Sequence, residues 1–200
     1  MKIDIKIFFL ILLYIFTNQI KEFSITIFFI LIHELGHLTA GILIGLRPKK
    51  IEMSIAGFCI EFDTYKKNKT TKKLIVDIAG PAINLVIAII GMVLKSDLIV
   101  YSNLLIILIN LITIYPLDGG RILKNLLLYK YNFKKVIDIV NTVSNITLII
   151  ITILSSLIIL YIKNISIIII IIYLWYINYI ENKKKNLIDI AYEKIKENLE

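Results

Sequence analysis

The chain has little of what stabilises small secreted domains and little of what keeps a domain soluble. It contains one cysteine in 200 residues, Cys59, so an internal disulfide is excluded. Its eight glycines and three prolines are too few for a collagen-like chain. Only 19% of the residues are charged, whereas a soluble globular domain has about 25%. Disordered, collagenous and disulfide-rich chains are therefore excluded, and an ordinary soluble domain is disfavoured.

The sequence is instead dominated by apolar residues. They make up 58% of the chain, the mean hydropathy is +0.83, and isoleucine alone occupies 50 positions. The formal net charge of +8 is compatible with a nucleic-acid binder until the charges are placed along the chain. The basic residues lie in short blocks between apolar runs, which is typical of a protein that crosses the membrane several times.

Six apolar segments are candidate membrane spans, for which a helix needs about 20 residues to cross the hydrocarbon core. They are residues 5–20, 23–46, 74–94, 98–116, 137–162 and 165–180. The first and last are shorter than this and are expected to be tilted, extended by their flanks or partly interfacial. No small-residue cleavage site follows the first, so it is expected to be a mature span. The predicted fold class is an all-α polytopic membrane protein with about six transmembrane helices. We expect a transmembrane domain over residues 1–180 and a tail over 181–200, either an amphipathic helix or a solvated segment.

The positions of the basic residues predict the orientation in the membrane. With a cytoplasmic N-terminus and six spans, 20 of the 23 lysines and arginines lie on the cytoplasmic side, and Lys21, Lys95 and Lys163 lie outside. Cytoplasmic loops of membrane proteins carry an excess of these residues. We therefore expect a multi-pass protein of the cell membrane with both termini, and residues 47–73, in the cytoplasm.

Residues 51–63 interrupt the helical pattern. Apolar residues alternate at 51, 53 and 55 and again at 58, 60 and 62, and the phase slips at Ala56-Gly57. Such alternation predicts two short strands, and thus a β-hairpin between the second and third spans. Two interpretations stay open. The hairpin is either an ordinary cytoplasmic connection or a segment that dips toward the membrane and offers its edge to an extended substrate.

Both histidines of the chain lie in the second span, in the sequence His33-Glu34-Leu35-Gly36-His37. This HExxH pattern arises by chance in roughly one such chain in 2,500. Positions i and i+4 share one helix face, so the two imidazoles can bind one metal ion. Glu34 lies one position round the helix, where a general base is needed beside the metal. Ionisable groups in a membrane span are costly and point to function.

A third metal ligand must come from another segment, and two acidic residues are candidates. Asp118 follows Pro116 and precedes Gly119-Gly120, and these residues are expected to break the fourth helix. Irregular backbone at membrane depth is tolerated where it is buried or lines a cavity. A straight helix would put Asp118 about 30 Å along its axis and too shallow. Either an early end of this helix, with a loop that turns back into the bundle, or a later start near Tyr101 resolves the difficulty. Asp77 is expected to be an interfacial charge near a helix N-terminus.

The pattern HELGH in an early span and Asn110…Pro116-x-Asp118-Gly119 in a later one resembles the site-2 protease family of intramembrane zinc metalloproteases. The short six-span layout is most similar to its stage IV sporulation protein FB branch. The resemblance covers roughly residues 23–125. It implies that His33, His37 and Asp118 bind Zn2+, that Glu34 activates water, and that Asn110 and Pro116 line the catalytic region. Gly80-Pro81-x-x-Asn84 also resembles a family element, although a kinked helix start with small packing residues explains it equally well.

The resemblance implies cleavage of a membrane-associated regulatory protein, such as a pro-sigma or anti-sigma factor, near the cytoplasmic side. Lipid bilayer and membrane inhibitor proteins are further expected partners, and nucleic acid is not. The sequence shows neither a PDZ-like insertion nor a CBS domain after the last span, so nucleotide sensing through such a domain is not expected, and a role in sporulation stays open. The alternative function is a membrane metal-ion transporter that uses the His/Asp cluster as a transit site. A catalytically inactive scaffold is a third class.

Overall fold

The computed structural model describes residues 20–54, 57–62, 69–162 and 166–197, and these residues are mainly helical. In chain order the elements are α1 (Ile20–Leu43), β1 (Pro48–Ser54), β2 (Gly57–Phe62), α2 (Lys69–Val93), α3 (Asp97–Asn110), α4 (Asp118–Leu127), α5 (Phe133–Ile162) and α6 (Ser166–Glu197). The chain divides into two compact units, Met1–Leu111 and Ile112–Glu200. The first predicted span, residues 5–20, falls almost wholly outside the described residues.

In the first unit, α1 packs on α2 and α3, and α2 packs on α3. Gly36 lets α1 approach α2 closely, because a Cβ atom at this position would lie 3.0 Å from Ile83 Cγ2 and 3.1 Å from the Ala79 carbonyl oxygen. Small residues at such contacts are typical of helices that pack within membranes. The close approach brings the histidine face of α1 against the backbone of α2.

The end of α1 is closed by Gly45, which has a φ of 77°. The Leu46 N–H donates to the Gly41 carbonyl at 2.9 Å and the Gly45 N–H to the Ile42 carbonyl at 2.9 Å, the hydrogen-bond pattern of a Schellman cap. The strands β1 and β2 follow and pair antiparallel, with Ser54 opposite Gly57. Both strands contact α1. A role for their edge in binding substrate stays a prediction.

Three helices of the described residues are long and apolar enough to cross a membrane: Ser24–Leu43, Thr70–Val93 and Phe133–Leu160. The apolar segment 98–116 is helical only as far as Asn110, where α3 ends. Of the two alternatives for this helix, the early end is confirmed and the later start near Tyr101 is wrong, because α3 begins at Asp97. Its 14 residues cover only about 21 Å of axis. Pro116 explains the early end, since the residue before a proline is disfavoured in the helical conformation. The count of six spans stays a prediction.

In the second unit, α5 packs on α4 and α6. Its apolar core is formed by Ile114, Leu117, Leu148 and Leu174. Polar bonds join the long helices: Trp175 Nε1–H donates to Thr152 Oγ1 at 3.1 Å. The helix α6 continues without a break from the predicted sixth span, residues 165–180, through the tail as far as Glu197.

Candidate metal centre

His33 and His37 lie one turn apart on the face of α1 that packs against α2. Their side chains are 2% and 5% exposed. The two rings meet edge to face with their centroids 4.8 Å apart, and the two Nε2 atoms are 3.2 Å apart. The spacing of four residues thus places the two nitrogens at one point, as the helical period requires.

The other ring nitrogen of each histidine is bonded to an oxygen of α2. His33 Nδ1–H donates to Asn84 Oδ1 at 2.8 Å, and His37 Nδ1–H donates to the Val76 carbonyl oxygen at 2.7 Å. A carbonyl oxygen can only accept, so each Nδ1 carries the proton and each Nε2 presents a lone pair. Both imidazoles are therefore held in the tautomer that binds a metal through Nε2.

The orientation of Asn84 is fixed by a short chain of amides. Asn103 Nδ2–H donates to the Ile99 carbonyl at 2.8 Å, so Asn103 Oδ1 faces away from that carbonyl. Asn84 Nδ2–H donates to this Oδ1 at 2.8 Å, which leaves Asn84 Oδ1 toward His33. Asn84 and Asn103 are both fully buried. A backbone carbonyl of α3 thereby determines which way two amides, and then one imidazole, are oriented.

Two lone pairs 3.2 Å apart repel each other unless a cation lies between them. A tetrahedral zinc ion with Zn–N distances of 2.0–2.1 Å separates two nitrogen ligands by about 3.3–3.4 Å. The observed separation of the Nε2 atoms is close to this value. The geometry of the histidine pair, taken by itself, fits a zinc ion.

Asp118 is the first residue of α4 and is 4% exposed. His33 and His37 of the first unit and Asp118 of the second are the predicted metal ligands, and all three side chains are buried. Two imidazoles and one carboxylate are among the three-residue ligand sets of catalytic zinc. The chemistry of this donor set fits the ion.

Gly120, two residues after Asp118, is required by the turn that precedes α4. A Cβ atom at Gly120 would lie 2.5 Å from the Tyr115 backbone nitrogen and 2.7 Å from the Ile114 carbonyl carbon. The prediction that Gly119-Gly120 breaks the helix was wrong, because both lie in the first turn of α4. The glycine is needed for close approach of backbone to backbone, and the irregular segment lies before Asp118.

Gly80 brings the backbone of α2 against both imidazoles. A Cβ atom at this position would lie 2.3 Å from His37 Nε2 and 2.8 Å from His33 Cε1. The sequence left the segment Gly80-Pro81-x-x-Asn84 open between close packing and a direct role. In the structure Gly80 provides the close packing, and Asn84 bonds directly to a histidine.

The remaining predicted residues have these positions. Glu34 follows His33 on α1 and is half-buried. Asn110 ends α3, and its Nδ2–H donates to the Ile106 carbonyl at 3.0 Å. Pro116 is half-buried and joined to Tyr115 by a cis peptide bond. Roles of Glu34 in catalysis and of Asn110 and Pro116 in lining the catalytic region stay predictions.

The expectation for Asp77 was wrong. The helix α2 begins at Lys69 rather than near residue 74, so Asp77 is in its third turn, and the side chain is 7% exposed. It is therefore a buried acid, beyond the first turn in which the helix dipole stabilises an anion. The apolar run alone placed the helix start too late, because the polar residues 69–73 are helical as well.

Sequence reasoning missed two groups that hold the histidines. Asn103 could have been recognised from the sequence, since an amide in the apolar run of a membrane helix needs a hydrogen-bonding partner. The Val76 carbonyl could not have been recognised in this way, because a backbone acceptor is present whatever the side chain is.

The buried pair of imidazoles on an apolar helix defines a candidate metal centre of a membrane protein, and the names of two relatives of this chain are consistent with it. Stage IV sporulation protein FB of Bacillus subtilis is 27% identical over 128 residues, which are 60% of this chain and 44% of the relative. A zinc metalloprotease of Methanocaldococcus jannaschii is 30% identical over 118 residues, 53% of this chain and 34% of the relative. The match thus spans less than half the length of these curated relatives.

A solved structure agrees with them. The site-2 protease from Methanocaldococcus jannaschii superposes with a TM-score of 0.65 and 26% sequence identity, over 88% of this chain and 86% of that one. No protein-family model matches the chain. The relatives and this structure confirm the resemblance to the site-2 protease family and its stage IV sporulation protein FB branch.

Proposed function

We propose that this chain is an intramembrane zinc metalloprotease. The observation that carries the proposal is the geometry of the histidine pair. Both Nδ1–H groups donate to oxygens of α2, and the two Nε2 atoms, which face each other, are 3.2 Å apart. The names of the relatives, which include a zinc metalloprotease and a site-2 protease, support the same function.

In this proposal His33, His37 and Asp118 hold the zinc ion. When bound, zinc supplies a Lewis acid that polarises a carbonyl and lowers the pKa of bound water to about 7. The chain's own residues do the rest. Asn84 and the Val76 carbonyl keep the two Nε2 atoms unprotonated, and Gly80 leaves the space beside them free of side-chain atoms.

Glu34 is the proposed general base. It follows His33 by one position on α1, so it lies beside the ligand face rather than on it. Its carboxylate accepts a proton from the attacking water and delivers that proton to the nitrogen of the leaving amine. The peptide bond then breaks without release of a strongly basic amide anion.

The proposed substrate is a membrane-associated regulatory protein, such as a pro-sigma or anti-sigma factor, cleaved near the cytoplasmic side. A substrate helix must unwind to expose a peptide bond, and the extended segment can pair with the edge of β1 or β2. Asn110 and Pro116 are proposed to line its path. In the same proposal residues 1–180 form the transmembrane domain of the cell-membrane protease, and residues 181–200 form a cytoplasmic tail.

The experiment that tests the proposal compares wild type with Glu34→Gln, each co-expressed with candidate membrane-tethered substrates. We expect the variant to keep zinc and to lose cleavage by about 10²–10⁴-fold, because glutamine cannot accept the proton. Zinc in the purified proteins is measured alongside. Near-wild-type cleavage by Glu34→Gln contradicts the mechanism. Zinc flux that survives in this variant, with no proteolysis by wild type, favours the metal-ion transporter instead.

A further inference from the structure

A second polar site lies within the second unit, among α4, α5 and α6. It is a cavity of about 220 Å³. Its apolar side is formed by Phe133 and Ile137, and its polar side by Lys124, Asn178, Lys184 and Lys185. None of these residues takes part in the proposed proteolysis, so the cavity needs its own explanation.

Both long helices place this cavity at the end of an apolar stretch. On α5 it is lined by the first three turns of the candidate span Phe133–Leu160. On α6 its lining residues lie on both sides of the point where the apolar run 165–180 gives way to the charged residues 181–185. Such a boundary is the height at which lipid headgroups lie in a bilayer.

Asn178 lines this cavity and carries an unused acceptor. Its side chain is 2% exposed, and its Nδ2–H donates to Asn145 Oδ1 at 2.6 Å. Its Oδ1 accepts no hydrogen bond from any residue in the part of the chain that the structure describes. An unpaired buried acceptor is costly, and such groups are rare in folded proteins. The wall of the cavity therefore lacks a hydrogen-bond donor that a ligand can supply.

The charged side of the cavity favours an anion. The Lys124 ammonium lies 4.5 Å from the centroid of the Tyr115 ring and 3.4 Å from its hydroxyl oxygen, which hold it at the cavity. Lys184 and Lys185 line the same side, and Glu181 is the acidic residue among the lining groups. Lys184 pairs with Glu181, and Lys185 pairs with Asp138 at 2.8 Å. The three ammonium groups therefore exceed these two carboxylates by one charge, and this net positive charge suits an oxygen of a phosphate.

We propose that this cavity binds the headgroup of a glycerophospholipid. The phosphate accepts hydrogen bonds from the lysines, a headgroup hydroxyl or ammonium donates to Asn178 Oδ1, and the glycerol carbons lie against Phe133 and Ile137. Basic pockets between membrane helices take headgroups in this way. Phosphatidylglycerol supplies a hydroxyl and phosphatidylethanolamine an ammonium, so the two lipids share the required chemistry. The proposal is independent of the protease function.

The test uses the full chain purified in an uncharged maltoside detergent. Thermal unfolding is followed with short-chain phosphatidylglycerol, phosphatidylethanolamine, phosphatidylcholine or inorganic phosphate. A ligand that binds the folded chain raises the unfolding midpoint with its concentration. We expect a rise with phosphatidylglycerol, phosphatidylethanolamine or both, which identifies the hydroxyl or the ammonium as donor. Phosphatidylcholine, which has no donor, and inorganic phosphate should give little or none.

The variants Lys124→Gln and Asn178→Leu should each weaken lipid binding about tenfold or more, because each loses a hydrogen bond to a charged or buried partner. The matched control is Lys183→Gln, a lysine of the same charged run that is not among the lining residues, and it should bind as wild type does. Asn178→Leu should fold, because it removes the unpaired acceptor and Asn182 Nδ2–H still donates to Asn145 Oδ1 at 3.3 Å. If Asn178→Leu does not fold, lipid binding by Lys124→Gln provides the test.

Four results overturn the proposal. The first is no midpoint shift with either donor lipid. The second is an equal loss of binding in Lys183→Gln, which would indicate diffuse attraction to surface charge. The third is the same shift with inorganic phosphate alone, which would make this a site for free phosphate. The fourth is displacement of the bound lipid by a substrate peptide, which would make it a site for the protein substrate.

Discussion

The side-chain oxygen of Asn84 accepts the Nδ1 proton of His33 at 2.8 Å, and this bond fixes which imidazole nitrogen faces His37. Asn84 is held in turn by Asn103, whose own orientation is fixed by the Ile99 carbonyl. Partners that orient a metal-binding histidine contribute to metal affinity although they do not touch the ion. The asparagines of α2 and α3 are thus part of the candidate metal centre.

Replacing Asn84 tests this relationship. Asn84→Leu removes the acceptor and should lower zinc affinity about 10–100-fold, because His33 can then adopt the other tautomer. Asn84→Asp keeps an acceptor at Nδ1 and should restore most of the affinity, although it loses the donor to Asn103. Competition with a coloured chelator measures both variants. Equal affinities for Asn84→Leu and wild type would show that Asn84 only packs the helices.

Gly80→Ala should remove zinc without unfolding the chain. Its Cβ atom would lie 2.3 Å from His37 Nε2, the nitrogen proposed to bind the ion. Gly91→Ala is the matched control on the same helix, because its Cβ atom would contact the Ile99 side chain at 2.9 Å, away from both histidines. Zinc content of the purified proteins and their unfolding midpoints are measured together. If both variants lose zinc equally, the effect comes from helix packing alone.

The sequence indicated which residues are candidate metal ligands, but it did not indicate which groups orient the two histidines. The two histidines are recognisable because a helix brings positions i and i+4 together, whatever surrounds them. Asp118 was predicted as the third ligand because Pro116 marks the end of regular helix, and this assignment stays a prediction. Val76 and Asn103 were not predicted, since their contacts depend on how closely α1 and α3 pack on α2, and that is decided by Gly36 and other small residues in three dimensions.

The ends of the helices were the weaker part of the prediction. An apolar run marks the stretch that can be buried in lipid, but a helix continues into polar residues as long as its hydrogen bonds are satisfied. For this reason α2 begins at Lys69 and α6 continues to Glu197, beyond their apolar runs. The opposite error occurred in α3, where the apolar run continues past the end of the helix at Asn110.

The orientation in the membrane can be tested with a pair of exposed lysines. On a Cys59→Ser background, a cysteine is introduced by Lys95→Cys or by Lys130→Cys. The basic-residue distribution predicts that position 95 lies outside and position 130 in the cytoplasm. A membrane-impermeant thiol reagent applied to intact cells should label the first variant only. Both should react after the cells are opened. Labelling of Lys130→Cys in intact cells would contradict the proposed topology.

The last prediction concerns the third zinc ligand and uses two buried acids as a matched pair. Asp118 and Asp77 are 4% and 7% exposed, so replacing either by asparagine removes a buried carboxylate without changing its size. Asp118 is the residue proposed to complete the zinc site with His33 and His37. We expect Asp118→Asn to weaken zinc binding by more than about 100-fold, because a lost ligand costs more than a lost orienting partner.

Cleavage should disappear with the zinc in Asp118→Asn, whereas Asp77→Asn should keep both zinc and cleavage. The zinc content of the purified variants is measured together with cleavage of a co-expressed substrate. Unfolding midpoints distinguish loss of a ligand from loss of the fold, because a variant that is already unfolded at the assay temperature cannot hold zinc. If Asp118→Asn is unfolded, Asp118→Glu replaces it, since glutamate keeps a carboxylate but shifts it by one methylene. Zinc retained in Asp118→Asn and lost in Asp77→Asn would assign the third ligand to α2, and the mapping of the site-2 protease motif onto Asp118 would have to be abandoned.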